Sequence, residues 1–261
     1  MIKLVVTDMD GTLLRTNNSL PDDFWEVEQK LFEKGVLFAV ASGRQFYNLI
    51  AVFDAIKDRT LFLAENGAYI FYKGKVIFTN PLDKKAVIDF VHIGRKIDNA
   101  FLVLSGQNSA YVESSNQKLL DVLSKHINKL EIVDDLTTVE DVFLKLSVCD
   151  FNTSETNSYH YFKHLENDFK VAVSGAIWLD ITNLTATKGA AIQTIQKQFG
   201  ISFEETMVFG DFMNDFEMMQ TAKFSYAMKN AHPEIKNIAN FITTLDNNEN
   251  GVTETIKEMI L

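Results

Sequence analysis

Asp8 and Asp10, in the run Asp8-Met9-Asp10-Gly11-Thr12, put two carboxylates two residues apart directly after the apolar stretch Lys3-Leu4-Val5-Val6-Thr7. A short run rich in β-branched residues that stops at acidic and turn residues predicts a buried strand leading into a loop. At such a strand end both carboxylates can point into one cleft. One can attack phosphorus and form a mixed anhydride; the other can protonate the leaving oxygen and later deprotonate the hydrolytic water. An ordinary Asp-Gly turn with acidic caps accounts for the same five residues without any chemistry.

Three further segments share this placement. Ser42-Gly43-Arg44 follows the apolar run ending at Ala41, so a hydroxyl and backbone N–H groups at a helix start can cradle an anion, and Gly43 permits close approach. The alternative is a Ser N-cap beside a solvent-facing Arg. Thr187-Lys188-Gly189 opens a helix, and a lysine in a first turn opposes the macrodipole at a cost of about 0.3–1 kcal/mol. Nearby negative charge, such as a phosphate, explains it; a solvated lysine beside a Thr cap is the bland reading. Gly210-Asp211-Phe212-Met213-Asn214-Asp215 brings Asp211 and Asp215 to another strand end, where an acidic N-cap pair is the competing account. Singly these segments are ambiguous. Jointly they converge, and several carboxylates in one cleft call for a hard divalent cation with oxygen ligands, for which Mg²⁺ fits best.

The elements that must position these residues alternate. A helix over residues 21–34, with Phe24, Val27, Leu31 and Phe32 on one face and Gly35 as its stop, is followed by a strand at 36–41, a helix at 45–56 and a strand at 60–63. The pattern returns with a helix over 189–199 stopped by Gly200 and strands at 207–209, 224–227 and 241–243. Strand, helix, strand order predicts a parallel sheet with helical crossovers and a ligand site beyond the strands' carboxyl ends. The middle of the chain has its own helices (84–97, 117–127, 158–167) and strands (101–104, 142–148, 177–181). Residues 82–185 are therefore expected to form an inserted domain, with 1–81 and 186–261 together forming the other. Residues 246–251, rich in Asn, read as a solvated loop before a last helix.

Composition narrows the function classes. With 261 residues of which 46% are hydrophobic, the chain can bury a substantial core. No stretch approaches the roughly 18 apolar residues that span a bilayer, and no signal-peptide core precedes Asp8, so a cytoplasmic protein without a membrane partner is expected. A net charge of −10 argues against nucleic acid, whose binding relies on clustered Lys and Arg. It does not exclude a small phosphate ester, because a cation and a few basic groups can outweigh it locally. Cys149 is the only cysteine, which excludes an intramolecular disulfide and a cysteine zinc site; a buried apolar role is expected of it. His160 and His164, four apart, lack a third ligand nearby and read as helix-surface residues.

With these residues in hand, the chain closely resembles the haloacid dehalogenase superfamily, and within it the Cof-type sugar phosphatases with a large α/β cap. The resemblance covers nearly the whole length. It extends to Glu65-Asn66-Gly67-Ala68, Ala227-Met228-Lys229-Asn230-Ala231 and Asn250-Gly251-Val252. It implies an α/β fold, with a Rossmann-like parallel-sheet core and an inserted α/β cap at 82–185 that governs substrate choice. It implies Asp8 as nucleophile, Asp10 as general acid and base, and Ser42, with Gly43, Arg44 and Thr12, around the phosphoryl group. Lys188 would neutralise that group and Asn214 reach it. Mg²⁺ would be held by Asp8, the Asp10 carbonyl and Asp211, with Asp215 orienting the metal shell. The expected activity is hydrolysis of a small phosphorylated metabolite, most simply a sugar phosphate, by a monomer or weak homo-oligomer. In the cap, Gly106-Gln107-Asn108-Ser109-Ala110-Tyr111 reads either as a polar loop facing the cleft or as a plain surface turn. Rival readings are a phosphomutase, a dehalogenase, a receiver-like phospho-acceptor domain and a sugar-phosphate-binding module without turnover.

Overall fold

The computed structural model describes residues 1–261. Its first stretch runs β1 (Leu4–Asp8), α1 (Phe24–Glu33), β2 (Leu37–Ala41), α2 (Phe46–Val52), β3 (Thr60–Ala64), β4 (Tyr69–Tyr72) and β5 (Lys75–Thr79). The middle follows with α3 (Lys84–Gly94), β6 (Ala100–Gly106), β7 (Ala110–Val112), α4 (Gln117–Leu123), β8 (Leu130–Ile132), β9 (Phe143–Asp150), α5 (Ser158–Phe162), β10 (Phe169–Gly175) and β11 (Trp178–Asn183). The chain ends with α6 (Lys188–Phe199), β12 (Thr206–Gly210), α7 (Phe216–Met219), β13 (Phe224–Ala227), α8 (Pro233–Ile238), β14 (Phe241–Ile242) and α9 (Gly251–Met259). Two compact units result: Met1–Gly43 with Val52–Ile77 and Thr187–Leu261, and Arg44–Ala51 with Phe78–Ala186. No helix is long and apolar enough to cross a membrane.

An eight-stranded sheet runs in the order β14-β13-β12-β1-β2-β3-β4-β5. The strands from β14 to β3 are parallel, with Leu4 to Thr7 of β1 paired to Thr206 to Phe209 on one side and Leu4 to Asp8 paired to Leu37 to Ala41 on the other. Parallel strands end at the same edge, so this register brings Asp8, Ser42 and Asp211 out together at the carboxyl side. Leu4, Val5 and Val6 are fully buried, as expected of a strand covered on both faces.

The core strands are parallel as the sequence predicts, but the sheet also carries an antiparallel edge that was not expected, because β4 returns antiparallel to β3, Phe62 facing Phe71. The four residues between these strands are too few for a parallel crossover, which needs about a dozen. The β4–β5 hairpin turns at Lys73-Gly74, both with positive φ (49° and 76°), the geometry of a two-residue type I′ turn. On α1, Phe24, Val27 and Leu31 face the core, and Phe24 packs edge-on against Phe38 and Phe53 at 5.6 and 5.7 Å. Phe32, expected on the same face, is 51% exposed under the Arg59 guanidinium. Glu28 takes the buried place instead, paired with Arg59 at 2.5 Å.

The second unit holds a six-stranded sheet in the order β10-β11-β9-β6-β7-β8. Val87, Phe90 and Val91 of α3 and Phe162 of α5 pack with Leu102, Leu146, Val148 and Leu179. A separate cluster joins Leu119 and Leu123 of α4 to Val103, Val112 and Cys149. Cys149 is fully buried, and burial pushes its thiol up to about 11, which makes it inert as expected. The turn between β6 and β7 is held by Asp141, which accepts from the Asn108 N–H, the Asn108 amide and the Tyr111 hydroxyl at 2.9–3.0 Å.

Candidate active site

Thr187 caps α6, its Oγ1 accepting from the Ala190 N–H at 3.1 Å, and so places Lys188 in the helix's first turn. The negative charge that such a lysine requires is supplied by the protein itself. Lys188 Nζ donates to Asp8 Oδ1 at 2.5 Å and to Asp215 Oδ1 at 2.7 Å, and all three side chains are buried. The solvated-lysine reading is thereby excluded. Asp215 Oδ2 accepts from the Asp211 and Phe212 N–H groups at 2.9 and 3.2 Å, closing the turn after β12 on itself. Asp211 Oδ1 in turn accepts from the Thr12 hydroxyl at 3.0 Å, and Thr12 is buried. One carboxylate oxygen from each of Asp8, Asp211 and Asp215 lies within 4.8 Å of the others.

Asp8, Thr12, Lys188, Asp211 and Asp215 are therefore one cluster. Ser42 and Asn214 are joined through Asn66: its N–H donates to the Ser42 carbonyl at 2.9 Å, and its Oδ1 accepts from Asn214 Nδ2 at 3.2 Å. Asp10 follows the buried Met9 and is itself exposed; Gly43 and Arg44 are part-buried, and Arg44 is grouped with the second unit. Thr12 as the partner of Asp211, and Asn66 as the link between two motifs, are roles that sequence reasoning did not assign. The Glu65-Asn66-Gly67 signature marked the place of Asn66 but not its partners.

The electrostatics follow from burial. Desolvation pushes the Asp8 carboxyl well above the usual carboxylate range; Lys188 pulls it down, while Asp215 and Asp211 push it further up. Asp211 is raised to about 6 by burial and by repulsion from Asp215. Burial works to lower the Lys188 pKa, yet the attraction of Asp215 and Asp8 outweighs it and holds the ammonium charged above its ordinary range. With all three carboxylates ionised, the single ammonium leaves two negative charges uncompensated, and an uncompensated buried charge is costly, which is why the Asp8 and Asp211 carboxyls are raised in the absence of a cation. An all-oxygen donor set with this deficit fits a hard divalent cation. Both Asp215 oxygens are engaged within the protein, whereas Asp8 and Asp211 each keep Oδ2 outside these hydrogen bonds. Those two carboxylates are the ones with an oxygen to offer.

Comparison with known proteins gives the family. The family of haloacid dehalogenase-like hydrolases matches over residues 5–256. The chain is 33% identical over 267 residues to 5-amino-6-(5-phospho-D-ribitylamino)uracil phosphatase YbjI of Escherichia coli, covering 99% of this chain and 96% of that protein. Among solved structures, SMU.1108c of Streptococcus mutans is 28% identical with a TM-score of 0.87, over 99% of this chain and 98% of that one. A protein of Eubacterium rectale is 25% identical with a TM-score of 0.91, over 99% of both chains. A family match from the first strand to the last helix, on a sheet edge carrying this acidic cluster, leaves one conclusion: the chain belongs to the haloacid dehalogenase-like hydrolases, and among them it is a phosphatase.

Proposed function

We propose that this phosphatase hydrolyses small phosphate monoesters of polyhydroxylated carbon chains, sugar phosphates or sugar-alcohol phosphates, with Mg²⁺ and through an aspartyl phosphate on Asp8. The observation that carries the reading is the buried Lys188, which grips one oxygen of Asp8 and one of Asp215 while Asp211 lies alongside. A carboxylate held this way keeps its rotamer, and Lys188 brings positive charge to where the phosphoryl group gains negative charge. The Escherichia coli relative acts, by its name, on a phosphorylated ribityl chain, which supports a polyol ester.

In the first step an Asp8 oxygen bonds to phosphorus and the ester bond to the leaving oxygen breaks, while Asp10 gives that oxygen a proton. In the second, water attacks phosphorus, Asp10 takes its proton, and the Asp8–phosphorus bond breaks to release inorganic phosphate. Ser42 and Asn214 hold the phosphoryl oxygens, and Asp215 keeps Lys188 aligned. Asp8, the Asp10 carbonyl and Asp211 would hold Mg²⁺, which when bound supplies charge stabilisation to the transferring group. Residues 82–185 govern which leaving group is accepted.

Phosphate release tests this. The purified chain is expected to free phosphate from at least one member of a panel of hexose, pentose, alditol and nucleotide monophosphates. EDTA should abolish release, and Asp8→Asn should lower it by at least about 10³-fold. Activity that survives Asp8→Asn refutes the nucleophile.

A further inference from the structure

Glu65, Asn66 and Gly67 stand in succession in the left-handed region, with φ of 50°, 55° and 92°. Such backbone persists only where its surroundings enforce it, and it gathers at functional sites. As the turn between β3 and β4 it reverses the chain, yet its contacts reach well beyond that hairpin. The Asn66 N–H donates to the Ser42 carbonyl at 2.9 Å, and the Ser42 N–H donates to the Leu63 carbonyl at 2.9 Å, so the turn and the loop after β2 are laced together. The Asn66 amide lies against Gly43, where a Cβ would sit 3.1 Å from Asn66 Oδ1. Gly67 abuts the Thr187 carbonyl, 2.4 Å from where its Cβ would be, at the cap of the helix that carries Lys188. Asn66 Oδ1 also accepts from Asn214 Nδ2 at 3.2 Å. One turn thus touches three of the four chemistry-bearing segments, and all of these residues lie in the first unit.

We infer that Asn66 is a positioning residue for the phosphoryl site: it orients the amide of Asn214 and the backbone at Ser42-Gly43. An amide nitrogen carries two hydrogens. With one of them donated to Asn66, the other N–H of Asn214 is held in a single direction, where it can meet a phosphoryl oxygen without a search. This rests on the proposed role of Ser42 and Asn214 at the phosphoryl group. The left-handed turn brings Asn66 within reach of both, and the backbone strain is the cost of that placement.

Asn66→Gly separates this role from a merely structural one, because glycine adopts positive φ freely and keeps the N–H bonded to Ser42. Only the amide is lost. The melting temperature should be unchanged or higher, while calorimetric binding of inorganic phosphate in the presence of Mg²⁺ weakens about tenfold and kcat/KM falls about tenfold. In an Asn214→Ala background the same substitution should change either quantity by less than about twofold, since the group it orients is gone. The inference is overturned if Asn66→Gly binds phosphate as tightly as the parent, if its effect multiplies with that of Asn214→Ala, if the loss comes with a fall in melting temperature, or if the parent binds no phosphate. A parent that binds phosphate through Asn66 but frees none from any ester sinks the proposed chemistry alone. Normal turnover in Asn66→Gly sinks the inference alone.

Discussion

Asp211, one of the carboxylates proposed to hold a cation, is a residue that weakens the fold when no cation is bound. Burial and repulsion from Asp215 raise its carboxyl from an ordinary 3.8 to about 6, so the folded chain retains a proton there that the unfolded chain releases. The stability tied to that proton is complete below about pH 4 and is lost as pH rises through about 6. The displacement is worth about 3 kcal/mol at most. Asp211→Asn removes the charge and keeps an acceptor for Thr12. It is expected to melt about 2–6 °C above the parent at pH 7.5 in EDTA, with the gap narrowing at pH 4.5. Millimolar Mg²⁺ should reverse the order, because a cation that binds only the folded parent stabilises it by mass action. Melting curves at the two pH values, with and without Mg²⁺, check this; a variant less stable than the parent in EDTA at pH 7.5 contradicts it.

At the scale of elements, α6, which carries Lys188, packs very closely on α7. A Cβ at Gly189 would lie 2.7 Å from Glu217 Cβ and 2.8 Å from the Glu217 backbone. Glycine to alanine inside a helix ordinarily gains about 1 kcal/mol, whereas overpacking costs about 1–3 kcal/mol. The obstacle here includes main chain, which cannot rotate away, so the cost wins. Gly189→Ala should lower the urea midpoint and, by shifting Lys188, raise KM; a higher midpoint would show that α7 yields. Elements also differ in how legible they were. The long amphipathic helix at α1 and the β-branched run at β1 stand out by period and composition. Strands β7 and β8 have three residues each, too few for any period to register. Phe32 was misplaced because its neighbour Glu28 is buried by pairing with Arg59, a partner 31 residues away that helical spacing does not show.

The whole molecule divides its apolar burial between two units. Phe90 is 2% exposed and sits edge-on to Phe162 and Phe169 within the second unit, at ring separations of 6.4 and 4.9 Å. Its truncation to alanine costs about 3–5 kcal/mol. Because no residue of the Asp8 cluster draws on that core, scanning calorimetry of Phe90→Ala should show one transition moved down by several degrees and a second that still responds to Mg²⁺ as in the parent. Loss of the Mg²⁺ response would mean that the first unit does not hold its site unaided. The net charge of −10 is spread over the entire chain, while the proposed chemistry depends on a local imbalance among Lys188, the buried Asp8 and Asp215, and the part-buried Asp211.

The sequence by itself determined where the candidate site residues stand along the chain, because a strand end is a local event: an apolar β-branched run halts, and Asp8, Ser42 or Asp211 follows. It also determined the family resemblance and the expectation of a cation, since Asp8, Asp10, Asp211 and Asp215 all fall at predicted strand ends that should share one sheet edge. Only the tertiary structure decided which groups neutralise which. Lys188 meets Asp8 across 180 residues and Asp215 across 27, and Asn66 meets Asn214 across 148. Those partnerships follow from the order β12-β1-β2-β3, which the packing of the entire first unit sets. Hydrophobic period reports what lies a few residues away, whereas charge compensation acts through space.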